Sequence, residues 1–171
     1  MIRLFLVSLL LAPGAVKPFE LVDGDRVLFV GNTFFERDLR YNHLETALAA
    51  RWPARNVIFR NLGWDGDTVW GEARAEFGSP TDGFSSLAKH VADLKPTVLF
   101  VGYGMNESFA GPGGVAPFVV QLDKMLDMLS RTQARIVLLS PIRAGLESGL
   151  FPRLRPSVYR IDSGFASGLN V

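Results

Sequence analysis

The chain has 171 residues, 48% of them hydrophobic and 20% charged, a balance that fits one globular domain and excludes a disordered or fibrous chain. Lys and Arg number 18 and Asp and Glu 17, a formal net charge of +1, so neither a nucleic acid partner nor a polybasic membrane patch is indicated. The lack of cysteine excludes disulfides, thiolate metal sites and a cysteine nucleophile, and His43 and His90 are the only imidazoles a mechanism could draw on.

Arg3, an apolar run from Leu4 to Ala12 broken only by Ser8, and the small-residue exit Pro13-Gly14-Ala15 predict a secretory signal peptide over residues 1–15. The run is about half the ~20 residues of a spanning helix, so a secreted or periplasmic chain with no stable membrane anchor after processing is expected. The same residues would also suit a buried strand. Residues 16–171 then form the single domain.

Four apolar runs read as buried strands: Arg26–Val30, Asn56–Phe59, Thr97–Val101 and Arg135–Leu139. Each is rich in β-branched or aromatic residues and apolar on both faces, as parallel strands covered by helices are. Helical spacing lies between them. Tyr41, Leu44 and Leu48 mark one apolar face. Phe84, Leu87, Ala88, Val91 and Leu94 mark a second, ended by Lys95-Pro96. Phe118, Leu122, Met125, Leu126 and Leu129 mark a third, with Pro117 in its first turn. Alternating strand and helix predicts a three-layer α/β/α domain on a parallel sheet. In such a sheet ligands sit beyond the carboxyl ends of the strands.

The loops at those ends are Gly31-Asn32-Thr33-Phe34-Phe35-Glu36, then Asn61-Leu62-Gly63-Trp64-Asp65-Gly66-Asp67-Thr68, then Gly102-Tyr103-Gly104-Met105-Asn106-Glu107. With these three blocks in order, residues 25–142 resemble the SGNH (GDSL) hydrolase family, particularly its secreted bacterial esterase-like members. The family places Gly-Asp-Ser after the first strand, Asn-x-x-x-x-Gly-Asp-Thr after the second and Gly-x-Asn-Asp after the third. The resemblance implies a flavodoxin-like SGNH hydrolase fold and hydrolysis of acyl or acetyl esters, carbohydrate esters among them. It implies that Thr33 stands at the nucleophile's position, and that the Gly66 N–H and the Asn106 side-chain amide donate to the oxyanion. It implies no cofactor and no metal. Each residue also has a plainer reading. Gly66 would serve in an ordinary turn, Asn106 as a loop-capping amide, and Thr33-x-x-Glu36 as a capping box for the next helix. Asp67 and Thr68 are expected to cap the next helix and hold the loop rather than touch substrate. Trp64, Trp70, Phe34 and Phe109 could line an apolar or sugar-stacking pocket, although core packing suits Phe34 better.

Two features depart from the family. Gly-Asp-Ser is here Gly31-Asn32-Thr33, and the γ-methyl of threonine restricts the nucleophile's rotamers. The final Asp-x-x-His block has no counterpart: residues 143–171 form an atypical tail without histidine, and Asp162 is followed three residues later by Phe165. The domain is thus expected to be incomplete at its carboxyl end, with the Ile136–Leu139 strand left as a poorly covered edge. Neither His43 nor His90 is placed to serve as base. The alternative to a hydrolase is accordingly a catalytically inactive or truncated family member that binds its ligand without turnover.

Overall fold

The computed structural model describes residues 18–141 and the strand Val158–Ile161; the predicted signal peptide lies outside them. Five strands, β1 (Arg26–Gly31), β2 (Ile58–Gly63), β3 (Val98–Gly102), β4 (Arg135–Leu139) and β5 (Val158–Ile161), form one sheet in the order β2-β1-β3-β4-β5. The first four pair in parallel and β5 runs antiparallel to β4. The helices are α1 (Thr33–Asp38), α2 (His43–Arg51), α3 (Pro80–Leu94) and α4 (Val115–Ser130), with short 3₁₀ turns between.

Alternation along the strands builds two core layers. Leu28 and Val30 of β1 and Leu99 and Val101 of β3 pack with Leu87 and Val91 of α3 and with Met125 and Leu129 of α4. Val27, Phe29, Val98 and Phe100 face the other way, onto Phe35 of α1 and half-buried Leu44 and Leu48 of α2. This is the three-layer α/β arrangement expected from the sequence. At the amino ends of the strands, the buried Asp25 carboxylate accepts from Val22 N (2.7 Å), Thr97 Oγ1 (2.7 Å) and Arg135 Nη2 (2.5 Å), tying β1, β3 and β4 together. Burial alone would raise the pKa of this carboxyl. The hydrogen bonds from Thr97, Arg135 and Val22, with the charge of Arg135, outweigh it and hold Asp25 below its ordinary value.

Four expectations are corrected. The second strand begins at Ile58 and continues to Gly63, because it is an edge strand whose alternating, half-exposed residues do not read as an apolar run. Tyr41 belongs to no apolar helix face; it is exposed, precedes α2 and stacks on His43. The outer edge of β4 is not bare, since β5, from the tail, pairs with it from Ile136 to Leu139. The start of the first helix is also shifted, as described next.

Candidate active site

A row of three glycines sets the floor of the site. Gly31, Gly63 and Gly102, the last residues of β1, β2 and β3, stand side by side in register. A Cβ at Gly31 would collide with Gly102 O and come within 2.7 Å of the Phe35 ring, and one at Gly63 would lie 2.6 Å from the Phe35 carbonyl carbon. The fully buried Phe35 thus sits directly on the strand ends, and bare backbone there is what lets α1 start at that height. In this order the crevice between diverging connections falls at the carboxyl ends of β1 and β3.

The α1 helix is capped by Asn32, whose side chain accepts from Phe34 N at 3.3 Å, and the Glu36 N–H goes to the Asn32 carbonyl. The capping box expected at Thr33-x-x-Glu36 is therefore not formed, and the cap lies one residue earlier. Thr33 becomes the first helical residue, and its hydroxyl is released from capping duty. It donates to Asp65 Oδ1 at 2.6 Å and accepts from Gly66 N at 3.1 Å. Gly66 has φ +72°, and a Cβ there would meet no atom within 4 Å, so the backbone conformation rather than crowding calls for glycine.

Behind this pair lies a buried polar network. Asp67, with no exposed surface, accepts from Arg74 Nε at 2.5 Å and from Tyr103 Oη at 3.0 Å. Arg74 also donates through Nη2 to Leu62 O and Gly31 O, and its guanidinium lies 5.6 Å from the Trp64 ring centroid. Burial first, and then the neighbouring Asp67 charge, push the Tyr103 phenol well above its ordinary value, so it remains a neutral donor. Asn106 Nδ2 donates to Asp67 O at 2.7 Å, joining the β3 loop to the β2 loop. Glu107, also buried, accepts from Val69 N and Gly104 N, both at 2.8 Å. Thr68 Oγ1 donates to Glu72. Asp67 and Thr68 thus hold the loop, as expected, but neither caps a helix.

Of the residues singled out from sequence, Thr33 and Gly66 touch, and Asn106 reaches the same loop through the residue after Gly66. The Asn106 side chain makes no bond to the 3₁₀ turn it precedes and ties the β3 loop to the β2 loop instead. An amide –NH₂ has two protons, so the bond to Asp67 O leaves one for a ligand. His43, the first residue of α2, and His90, midway along α3, are exposed and bond to nothing at Thr33. Of the aromatics, Trp64 and Phe109 are exposed, whereas Trp70 and Phe34 pack against the two core layers. Sequence reasoning did not identify Asp65 as the partner of Thr33, nor Arg74, Tyr103 and Glu107 as the support of the loops. Among the described residues, no group of three or more His, Asp or Glu side chains is arranged to hold a metal ion, and no helix is long and apolar enough to cross a membrane.

No family model and no curated protein matches the sequence. Solved structures do match its fold. Axe2, an acetylxylan esterase from Geobacillus stearothermophilus, is 15% identical with a TM-score of 0.53, covering 70% of this chain and 61% of its own. LAE5, an alpha/beta hydrolase enzyme from the metagenome of Lake Arreo, Spain, is 17% identical with a TM-score of 0.50, covering 69% and 61%. The psychrotrophic esterase EstA from a Pseudoalteromonas species is 15% identical with a TM-score of 0.50, covering 67% and 58%. The chain has an α/β fold like that of these proteins and spans about three fifths of their length.

Proposed function

We propose that the strand-end site is an SGNH-type ester site that binds acyl or acetyl esters, carbohydrate esters among them, and hydrolyses them slowly through Thr33. The observation that carries this reading is the Thr33 hydroxyl itself. It is free of its helix cap, at the carboxyl end of β1, with a carboxylate at 2.6 Å and the Gly66 N–H at 3.1 Å. As Thr33 Oγ1 bonds to an ester carbon, it gives up its acceptor role toward Gly66, and that N–H becomes available to the oxygen of the same carbon. The free proton of the Asn106 amide, held by Asp67 O, is the second donor. Each such donor is worth about 10²–10³ in rate. The likeness to an acetylxylan esterase and to EstA supports the substrate class, and the amino-terminal pattern supports action outside the cytoplasm.

Turnover is expected to fall short of an imidazole-based site, because neither histidine bonds Thr33. Binding without turnover is a second reading, favoured by the engagement of both the Gly66 N–H and the Asn106 amide in protein hydrogen bonds. Hydrolysis of p-nitrophenyl acetate and release of acetate from acetylated xylo-oligosaccharide distinguish the two. We expect release above the buffer rate, abolished by Thr33→Ala. Release that is no faster than buffer, with unaltered oligosaccharide binding by Thr33→Ala, would establish the binding reading instead.

A further inference from the structure

We infer that Asp65 is the proton acceptor for Thr33, so that a hydroxyl–carboxylate pair stands where an imidazole-based site would have its histidine; this rests on the reading of Thr33 as nucleophile. Thr33 Oγ1 and Asp65 Oδ1 are 2.6 Å apart, close enough for direct transfer. A hydroxyl has one proton, and the Gly66 N–H occupies a lone pair on the other side, so the proton points to Asp65. The Asp65 carboxylate makes no other hydrogen bond or ion pair among the described residues. It differs in this from Asp67, two residues on, whose carboxylate is committed to Arg74 and Tyr103. Asp65 is also exposed, so it contributes little to the core, and leaving groups and water can reach it.

The steps balance with water as the only co-reactant. Thr33 Oγ1 bonds to the ester carbon while its proton passes to Asp65 Oδ1. The bond from that carbon to the leaving oxygen breaks, and the leaving oxygen takes the proton from Asp65. Water then attacks the acyl-threonine and gives a proton to Asp65. The acyl–Oγ1 bond breaks, Thr33 recovers that proton, and the carboxylic acid departs. A carboxylate is a weaker base than an imidazole, which is the chemical reason for slow turnover.

The test uses the full chain with p-nitrophenyl acetate as substrate and diethyl p-nitrophenyl phosphate as covalent probe, the adduct being located by peptide mass mapping. We expect the adduct on Thr33 and a loss of about 10²–10⁴-fold in both reactions for Asp65→Asn. The urea midpoint of Asp65→Asn should stay at the wild-type value, and sodium formate should restore Asp65→Ala but not Thr33→Ala. Asp65→Asn reacting at Thr33 at the wild-type rate would overturn the role of Asp65 and leave the ester reading standing. A wild-type chain that forms no Thr33 adduct would overturn the ester reading, and the proton acceptor with it.

Discussion

Replacing Arg74 by methionine keeps most of the side-chain volume and removes the charge from beneath the candidate site. Asp67 would then be a fully buried carboxylate left with only the Tyr103 hydroxyl as side-chain partner. Breaking a buried ion pair from one side costs about 3–5 kcal/mol, because the surviving charge is uncompensated. The lost donor to Leu62 O adds about 1 kcal/mol, whereas Gly31 O keeps its bond from Trp64 N. The sum, about 4–6 kcal/mol, is comparable to the whole stability of many domains. Urea unfolding followed by fluorescence of Trp64 and Trp70 measures it through the shift in midpoint at constant slope. The double variant Asp67→Asn with Arg74→Met should be more stable than Arg74→Met alone, since it removes the charge that the single variant strands. An Arg74→Met chain less than about 1 kcal/mol below wild type would show that the guanidinium does not hold Asp67.

The Asp25 cluster gives a pH signature. Its carboxyl is held below the ordinary carboxylate value, so the stability it contributes is present above about pH 4 and lost as pH falls through the lower folded value. Asp25→Asn should therefore melt below wild type at pH 7, with the gap narrowing as pH falls below about 4; a constant gap would contradict this. Gly63→Ala forces a methyl against the Phe35 backbone and should cost about 1–3 kcal/mol in a thermal melt. A neutral result would mean that α1 can lift off the strand ends.

The parts of the fold that were legible are those where local pattern and burial agree. β1, β3 and β4 are apolar on both faces because helices cover both, and α3 and α4 present clear stripes. β2 was misplaced because an edge strand alternates, and Arg60 and Asn61 look like loop residues although they pair with Leu28 and Phe29. β5 escaped notice because four residues amid Pro and Gly carry no period, and its place is fixed by pairing with β4. At the site, Thr33, Gly66 and Asn106 stand out in sequence only through the resemblance of the three strand-end loops to family blocks, and the fold sets Thr33 against Gly66 and Asn106 against the residue after it. Asp65 was not matched with Thr33 because the two are 32 positions apart and only the fold brings them together. Arg74 was missed for a different reason: a buried arginine looks in sequence like any surface cation, and only its acceptors, Asp67 and the strand-end carbonyls, reveal it.

β1 carries an ionic cluster at its foot and the Thr33 hydroxyl just past its head. Its six residues span about 20 Å at ~3.3 Å each. Unit charges that far apart interact by about 0.8 kcal/mol at an effective dielectric of ~20, and physiological salt reduces this to roughly a tenth. Neutralising Asp25 or Arg135 would thus pass almost no electrostatic signal to Thr33 and Asp65. The strand acts as an insulator as much as a support, so the charge at the foot of the sheet can be redesigned for stability without retuning the proton affinity of the groups at its head.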